Sequence, residues 1–509
     1  MEMKSKFEWR KSLVGPAGAV LVILIILNLI SRNWFGRLDF TKEKMYTLSE
    51  SSRSVVAKID DLMTMKVYFS GNLPGQYGNN RRFLQDILEE YAAFSRGNIR
   101  FQFYKPGENE ELEQEAQQAG IQPVQLQVIE NDKMEVKRVF MGLAIIYQDE
   151  KEVIPVIQTT TGLEYDITTK IKRLVETNKP VLAIAKAEGQ ETENRNISSL
   201  LQQRYTVRNI DLQYTIENNI ELILVNGLED SLQENERKNL EIFLNQGGNI
   251  LLAQSRIKSS LQTQQASEIS SDIFDVVDSY GLSLQTNLVL DKTCGRVNVQ
   301  QNMGPFRMAV PMSYPLLPVV RDFNKDEVLV SGLEQVQLFF ASEIRTDSIP
   351  QDGSVNVSPL MFSSNSSSLM SGYFNLHPDP KTNPAMVNLN QPKKLLSARS
   401  ERSSSESGLL SQMILVSDSR FLADDGGGAS PENHIFVMNA VDFLLGDREL
   451  IALRSREITN RPLAEIEDSA KVWWKWFNIV LPTVLVVGFG FFRLRRGKAR
   501  SRILEDIYG

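Results

Sequence analysis

The sequence predicts a mixed α/β protein with one membrane-spanning helix near each end, and three observations carry that expectation. Residues 13–30 and 477–492 contain no charged side chain. Short apolar runs (VLAIA, IELILV, NILLA and MILV) alternate with helical patterns, as buried strands of a parallel sheet do. The mean hydropathy is -0.22, so membrane contact is confined to short segments. The 509 residues, 42% hydrophobic and 23% charged, exclude disorder and a polytopic transporter alike, and allow roughly two to four domains. A net charge of -7 and a pI near 5.4 argue against nucleic acid as a main partner. Cys294 is the single cysteine, which removes intrachain disulfides, CxxC chemistry and Cys-rich zinc sites. His377 and His434 are the only histidines. The composition favours binding or structure over catalysis, with no cofactor, metal or catalytic residue expected.

The first apolar segment, 13–31, follows Lys4, Lys6, Arg10 and Lys11 and precedes the interfacial sequence SRNWFGR. No small-x-small cleavage site follows it, so it reads as an uncleaved anchor in the lipid bilayer. The second, 472–492, is introduced by Trp473, Trp474 and Trp476 and followed by six basic residues from Arg493 to Arg502. The positive-inside bias then puts both tails in the cytoplasm and the large region between them in the periplasm or outside. Charge divides accordingly: residues 1–12 carry +2, residues 493–509 carry +4, and the intervening chain carries -13.

After the first anchor, Ser49 or Thr47 caps a helix, and MKVYFS (65–70) alternates as a strand. A helix over 80–95 presents Phe83, Leu84, Ile87, Leu88 and Tyr91 at helical spacing, with Gly97 as its stop. IRFQFY (99–104) is a strand, 110–119 a polar helix, and 124–129, 138–147 and 153–157 are further strands. This order is that of a thioredoxin-like module over 38–160, and Pro123 stands where that fold commonly carries a cis-proline. The loop after the first strand has no cysteine, so the module lacks CxxC and thiol chemistry is excluded.

A helix over 163–176 leads into a doubly wound α/β pattern: strands at 181–185, 205–211, 220–225 and 249–253, with helices at 196–204 and 231–245. The pattern returns with MILVSDS (413–419) and a helix at 433–445. The α/β domain is therefore 161–255 plus 411–450, with 256–410 as an insertion. Its Ser-rich stretches SSNSSS (363–368) and SARSERSSSESG (397–408) read as mobile loops or linkers.

LDFTKEKMYTLSE, LQDILEEYAAFS, EYDITTKIKRL, FLNQGGNILLA, VSDSRFL and NHIFVMNAVDFLLG, in this order and over nearly the whole chain, resemble the GldG-like family of ABC-transporter auxiliary proteins. The resemblance implies a non-enzymatic, membrane-tethered exoplasmic subunit beside an ABC-type permease and a separate ATP-binding subunit, in gliding motility or envelope transport. No GxxxxGK[ST] occurs, in keeping with that division of labour. Related sequences often carry a Gly-His-Gly-Glu-like turn after the first α/β strand. Here the turn is Ala187, Glu188, Gly189 and Gln190, without the histidine.

The α/β domain also resembles glutamine-amidotransferase-like folds, whose chemistry needs a cysteine at a strand–helix elbow with a histidine in reach. Cys294 lies outside the predicted sheet, so a cysteine hydrolase is disfavoured. Asp291, Asp418, Asp424 and Asp425 sit near strand ends, with DSRFLADDGGG where open sheets bind ligands. The alternative function is thus a tethered receptor, with a solute or exoplasmic protein ligand held near Glu188, Gly189, Gln190, Asp418 and Ser419. Gly15, Gly18, Gly488 and Gly490 would let the membrane helices approach a permease closely.

Overall fold

The computed structural model describes residues 47–508, apart from 72, 74, 108, 131–132, 177–179, 189, 191–192, 262, 304–305, 348, 351–352, 405–407, 448–449, 452 and 455–467. The first apolar segment with Gly15 and Gly18, and Gly189 in the turn, lie outside the described residues. The chain divides into two compact units at 458/459.

The first unit opens with α1 (Glu50–Ala57), capped by the Ser49 hydroxyl, which accepts from the Ser52 amide at 3.1 Å. There follow β1 (Met63–Phe69), α2 (Gly75–Phe94), β2 (Ile99–Tyr104) and α3 (Glu110–Gln118). Strands β3 (Val124–Glu130), β4 (Lys133–Val139), β5 (Met141–Tyr147) and β6 (Glu150–Ile154) complete this module. Its sheet has the order β2-β1-β5-β6, with β1 and β2 parallel and β5 antiparallel to both its neighbours. Strand alternation decides the packing. Met63, Met65, Val67 and Phe69 meet Leu84, Leu88 and Tyr91 of α2 on one face, while Tyr68 meets Ala116, Ile121 and Phe140 on the other.

Pro123 behaves differently from expectation. No peptide bond among the described residues is cis, and the strand it precedes belongs to a separate β3-β4 hairpin rather than to the four-stranded sheet. The stretch 138–147, read as one strand, is two. Phe140 breaks it because its amide donates to the Ser70 hydroxyl at 2.9 Å while its carbonyl accepts from the Ser70 amide at 3.0 Å.

Helix α4 (Leu163–Val175) carries Leu163, Ile167, Ile171 and Leu174 into the same core. Beyond it lie β7 (Val181–Lys186), α5 (Arg195–Gln202), β8 (Thr206–Asp211), β9 (Ile220–Asn226), α6 (Glu234–Asn245) and β10 (Asn249–Ala253). After the intervening residues come β11 (Leu395–Ser403), β12 (Leu410–Val416) and α7 (Pro431–Leu444). Strands β8-β7-β9-β10-β12 are all parallel and in that spatial order. Leu182, Ile184, Leu222, Leu224 and Ile414 pack on α5 and α7, whereas Ala183, Ala185, Ile223, Val225 and Leu415 pack on α6 and the short helix Ile273–Ser279. Helices therefore cover both faces.

The Ser-rich stretches are not loops throughout. Residues 397–403 lie in β11, which continues the sheet antiparallel to β12. The Ser397 and Ser400 side chains are fully buried and donate to the carbonyls of Leu415 (2.8 Å) and Tyr280 (2.6 Å). Ser367 and Ser368 open the strand Ser367–Ser371, antiparallel to Asn287–Asp291. A hydroxyl whose hydrogen bond is satisfied is tolerated inside a sheet, and a reading by hydrophobicity misses it. Residues 256–410 thus add strands to the main sheet and also build a separate core around Leu288, Leu290, Tyr314 and Phe340.

The second unit contains α8 (Asp468–Tyr508). Its stretch Trp473–Arg493, 21 residues with a mean hydropathy of 1.6 and none of it buried, is long and apolar enough to cross a membrane. At 1.5 Å per residue it spans about 30 Å, the thickness of a bilayer core.

Leu88 is fully buried at the centre of the first core, whereas Leu62 is 43% exposed. Leu88→Ala is expected to cost about 2–5 kcal/mol and Leu62→Ala about 0.5 or less, read as urea midpoints of the full chain in lipid nanodiscs.

Candidate functional site

In a sheet of this order the strand direction of connection reverses between β7 and β9, and ligands of such folds bind at the carboxyl ends there. The groups predicted for that crevice are engaged with one another. The Gln190 amide nitrogen donates to the Asn226 carbonyl, and its Oε1 accepts from the Ala187 amide at 3.3 Å. The Glu188 amide donates to Glu236 Oε1 at 2.7 Å, and Glu236 also accepts from Gln233 at the start of α6 (2.8 Å). Ser419 Oγ accepts from the Ser255 amide at 2.8 Å. A Cβ at Gly227, where φ is +58°, would lie 2.5 Å from the Ser419 carbonyl oxygen, so only glycine fits between these loops.

The amino end of α5 is the natural place for an anion, because its first N–H groups lack helical partners. The chain supplies that anion itself: Asp424 accepts from the Arg195 amide at 3.1 Å and the Asn196 amide at 2.9 Å. Asp425 pairs with Arg420 at 2.6 Å. Asp291 is buried and accepts from Thr293 N at 2.8 Å and Ser364 Oγ at 2.6 Å. Asp418 is fully buried and accepts from the amides of Phe339 and Arg420, both at 2.8 Å. Burial pushes its carboxyl up to about 7, with those backbone amides opposing.

Cys294 is half-buried at the start of the strand Cys294–Met303, and burial raises its thiol. The histidines are occupied elsewhere. His377 Nδ1 accepts from Asp379 N at 3.1 Å, and His434 Nε2 lies 2.9 Å from the Gly428 carbonyl.

A second constellation escaped the sequence reading. Asp442, in the last turn of α7 and fully buried, meets Arg204 at 3.2 Å, Arg454 at 2.6 Å and the Tyr205 hydroxyl. Both guanidinium groups also donate to the Tyr165 hydroxyl, each at 2.6 Å, and Arg454 reaches Asn439. Nearby, Lys172 of α4 pairs with Asp447. Burial works against the Asp442 carboxylate, yet the two guanidiniums outweigh it and hold the group below its ordinary value. The one visible signal was an acid inside the apolar run NAVDFLL; its partners lie far away in sequence.

Two clefts open between the first module and the α/β domain. The larger, about 990 Å3, is lined by Asp60, Asp149, Glu150, Glu176 and Glu221 with Arg173. The smaller, about 420 Å3, lies beside the Asp442 cluster against α4, α5 and α7.

Residues 153–446 match the family described as ABC-type uncharacterized transport system. The chain belongs to this family. Residues 42–146 match a domain of unknown function. An uncharacterized protein of Borreliella burgdorferi is 24% identical over 504 residues, covering 94% of this chain and 96% of its own. Among solved structures, the mmIFT52 N-terminal domain aligns with 52% of this chain and 96% of its own at 12% identity and a TM-score of 0.33. A putative ThuA-like protein from Bacteroides uniformis covers 53% and 93% at 12% identity and a TM-score of 0.30. Scores this low carry no argument. Membership of the ABC-transport auxiliary family agrees with the GldG-like resemblance and indicates a transport-related auxiliary role.

Asp442→Asn would leave two buried guanidiniums without a carboxylate, and a loss of about 3–5 kcal/mol is expected in the unfolding free energy. Adding Arg454→Met should restore part of it. Because the folded Asp442 value is depressed, its contribution is complete at neutral pH and fades as the pH falls below the ordinary carboxyl value of 3.8. Asp418 acts in the opposite sense. Between 3.8 and about 7 its folded form keeps a proton that the unfolded chain has released. Relative to Asp418→Asn, the native chain should therefore lose stability as the pH rises through that window and change little above it. Thermal unfolding of both chains across the window checks the sign.

Proposed function

We propose that this chain is a non-enzymatic, membrane-anchored exoplasmic auxiliary subunit of an ABC-type transporter, working beside a separate permease and an ATP-binding subunit. The observation that carries the reading, given the family, is the state of the crevice. Gln190, Asn226, Ser419 and Asp424 spend their hydrogen-bonding capacity on this chain's own backbone and side chains. A solute receptor needs convergent groups left over for its ligand. The receptor reading at Glu188, Gly189, Gln190, Asp418 and Ser419 is the weaker one for that reason.

The proposed topology has spans at 13–31 and 472–492, both tails cytoplasmic and the large domain exoplasmic, on the basic residues that flank the apolar segments. The proposed modules are 38–160, 161–255 with 411–450, and the insertion 256–410. The order β2-β1-β5-β6, with its single parallel pair, supports a thioredoxin-like origin for the first module. A role in gliding motility or envelope transport belongs to the same proposal. Gly488 and Gly490 have no atom within 4 Å of where a Cβ would stand, leaving that helix surface open to a permease helix. Gly15 and Gly18 would serve the first span in the same way.

Affinity purification of the full chain from native membranes should bring down a polytopic permease and a P-loop ATPase. Gly488→Leu with Gly490→Leu should remove both while leaving the exoplasmic fold intact. Recovery of neither subunit with the native chain would defeat the auxiliary reading. A ligand-induced rise in melting temperature that Gln190→Ala abolishes would favour the receptor.

A further inference from the structure

The strands Cys294–Met303 and Phe306–Val320 form a long antiparallel ribbon. From Arg296 to Met303 the pairing is regular, so directly opposed residues share a face. Val297 with Met312 and Val299 with Val310 fall on one face, and Met308 belongs to the same set. Asn298 with Pro311 and Gln300 with Ala309 fall on the other. One face is therefore apolar and the other polar or small. Among the described residues, the further strand of this sheet, Val336–Gln337, pairs only with Val319 and Val320 at the base of the ribbon. Val297 packs on the core around Leu288 and Tyr314. Val299, Met308 and Val310 belong to none of the apolar cores among the described residues, and Met308 is 54% exposed. A two-stranded ribbon is marginal in water on its own and is stabilised when its apolar face is covered.

Charge, size and tethering say what covers it. Residues 292–321 contain no Asp or Glu and four bases, Lys292, Arg296, Arg307 and Arg321, within an intervening chain that carries -13. The ribbon thus complements an anionic surface, and two copies laid face to face would bring like charges together. The apolar face is about 24 Å long and two strands wide, too small for the roughly 1,200 Å2 that a stable protein interface buries. Pro311 has no N–H to offer, which blunts the ribbon against addition of another strand. Residues 459–472, at most about 50 Å of chain, join the first unit to the apolar stretch Trp473–Arg493. That tether concentrates the ribbon at a bilayer surface, where a patch of modest size suffices.

We propose that the ribbon docks with its apolar face on an anionic lipid bilayer. Val299, Met308 and Val310 enter the boundary between headgroups and acyl chains, while Lys292 and Arg296, both exposed, stay at headgroup level. This is the arrangement of an interfacial amphipathic helix, built here from two strands. The free strand edges remain in the hydrated headgroup layer, where water satisfies them. The inference rests on reading Trp473–Arg493 as a membrane span and not on the permease or the ATP-binding subunit, so its failure would leave the auxiliary role standing.

The test uses the full chain carrying Cys294→Ser, with a bimane label on a single cysteine introduced by Met308→Cys or, on the opposite face, by Gln300→Cys. Each chain is placed, one copy per disc, in nanodiscs of phosphatidylcholine with or without phosphatidylglycerol, and spin-labelled lipid serves as quencher. With phosphatidylglycerol present, the label at 308 should be quenched about twofold or more over the label at 300. Lys292→Gln and Arg296→Gln should each lower the ratio of docked to undocked ribbons about fivefold. Both residues are exposed, and an unchanged melting temperature separates loss of docking from loss of the fold. The proposal is overturned if lipid quenches the two positions alike, or if quenching at 308 is the same without phosphatidylglycerol. It is overturned equally if the label at 308 is blue-shifted but inaccessible to lipid, which would assign the face to a protein partner.

Discussion

Helix α4 has to satisfy an apolar core on one side and a buried polar seam on the other, and the joining of the two modules depends on it. One side of the helix, Leu163, Ile167, Ile171 and Leu174, completes the apolar core of the first module. The same helix holds Glu164, which accepts from Ser49 N at 2.8 Å and Ser52 Oγ at 2.7 Å and so fastens α1. Its other side turns Tyr165 and Lys172 toward Arg204, Arg454 and Asp447 of the α/β domain. An amphipathic helix normally gives one face to water. Here that face is given to a polar seam instead, so the two modules are joined by a shared element rather than by a linker.

The doubly wound sheet follows a different economy. Four of its five parallel strands are buried on both faces, the edge strand β8 being the exception, which requires the near-continuous apolar runs that the chain supplies. Such a sheet leaves exposed carboxyl ends where many folds build ligand sites. This chain closes them with side chains from its own loops: Asp424 caps α5, Asn226 accepts from Leu422 N at 3.2 Å, and Gly227 permits the approach of Ser419. The crevice is thereby filled by the chain's own groups.

What the sequence revealed and what it hid divide along the range of the interactions. The buried strands and the amphipathic α2 were legible because their signal is local periodicity, as Leu84, Ile87, Leu88 and Tyr91 show. The apolar helix Trp473–Arg493 was legible from its length and flanks. Strand β11 was not, because Ser397 and Ser400 are buried through hydrogen bonds to distant carbonyls rather than through hydrophobicity. The split at Phe140 depends on Ser70, seventy residues away. The Asp442 cluster gathers Tyr165, Arg204, Tyr205 and Arg454 from three separate stretches, a pairing that no spacing rule expresses.

A charged seam is a costly way to join two modules, since removing ions from water consumes most of what their attraction returns. An apolar seam of equal area would hold as firmly, but apolar contacts are non-directional and tolerate sliding. The Asp442 carboxylate accepts from Arg204, Arg454 and Tyr205 together, and Tyr165 receives both guanidiniums, a geometry satisfied at one relative placement of α4, α5 and α7. Any displacement of α4 would strand at least one buried charge, a penalty of several kcal/mol. The seam therefore contributes register more than stability.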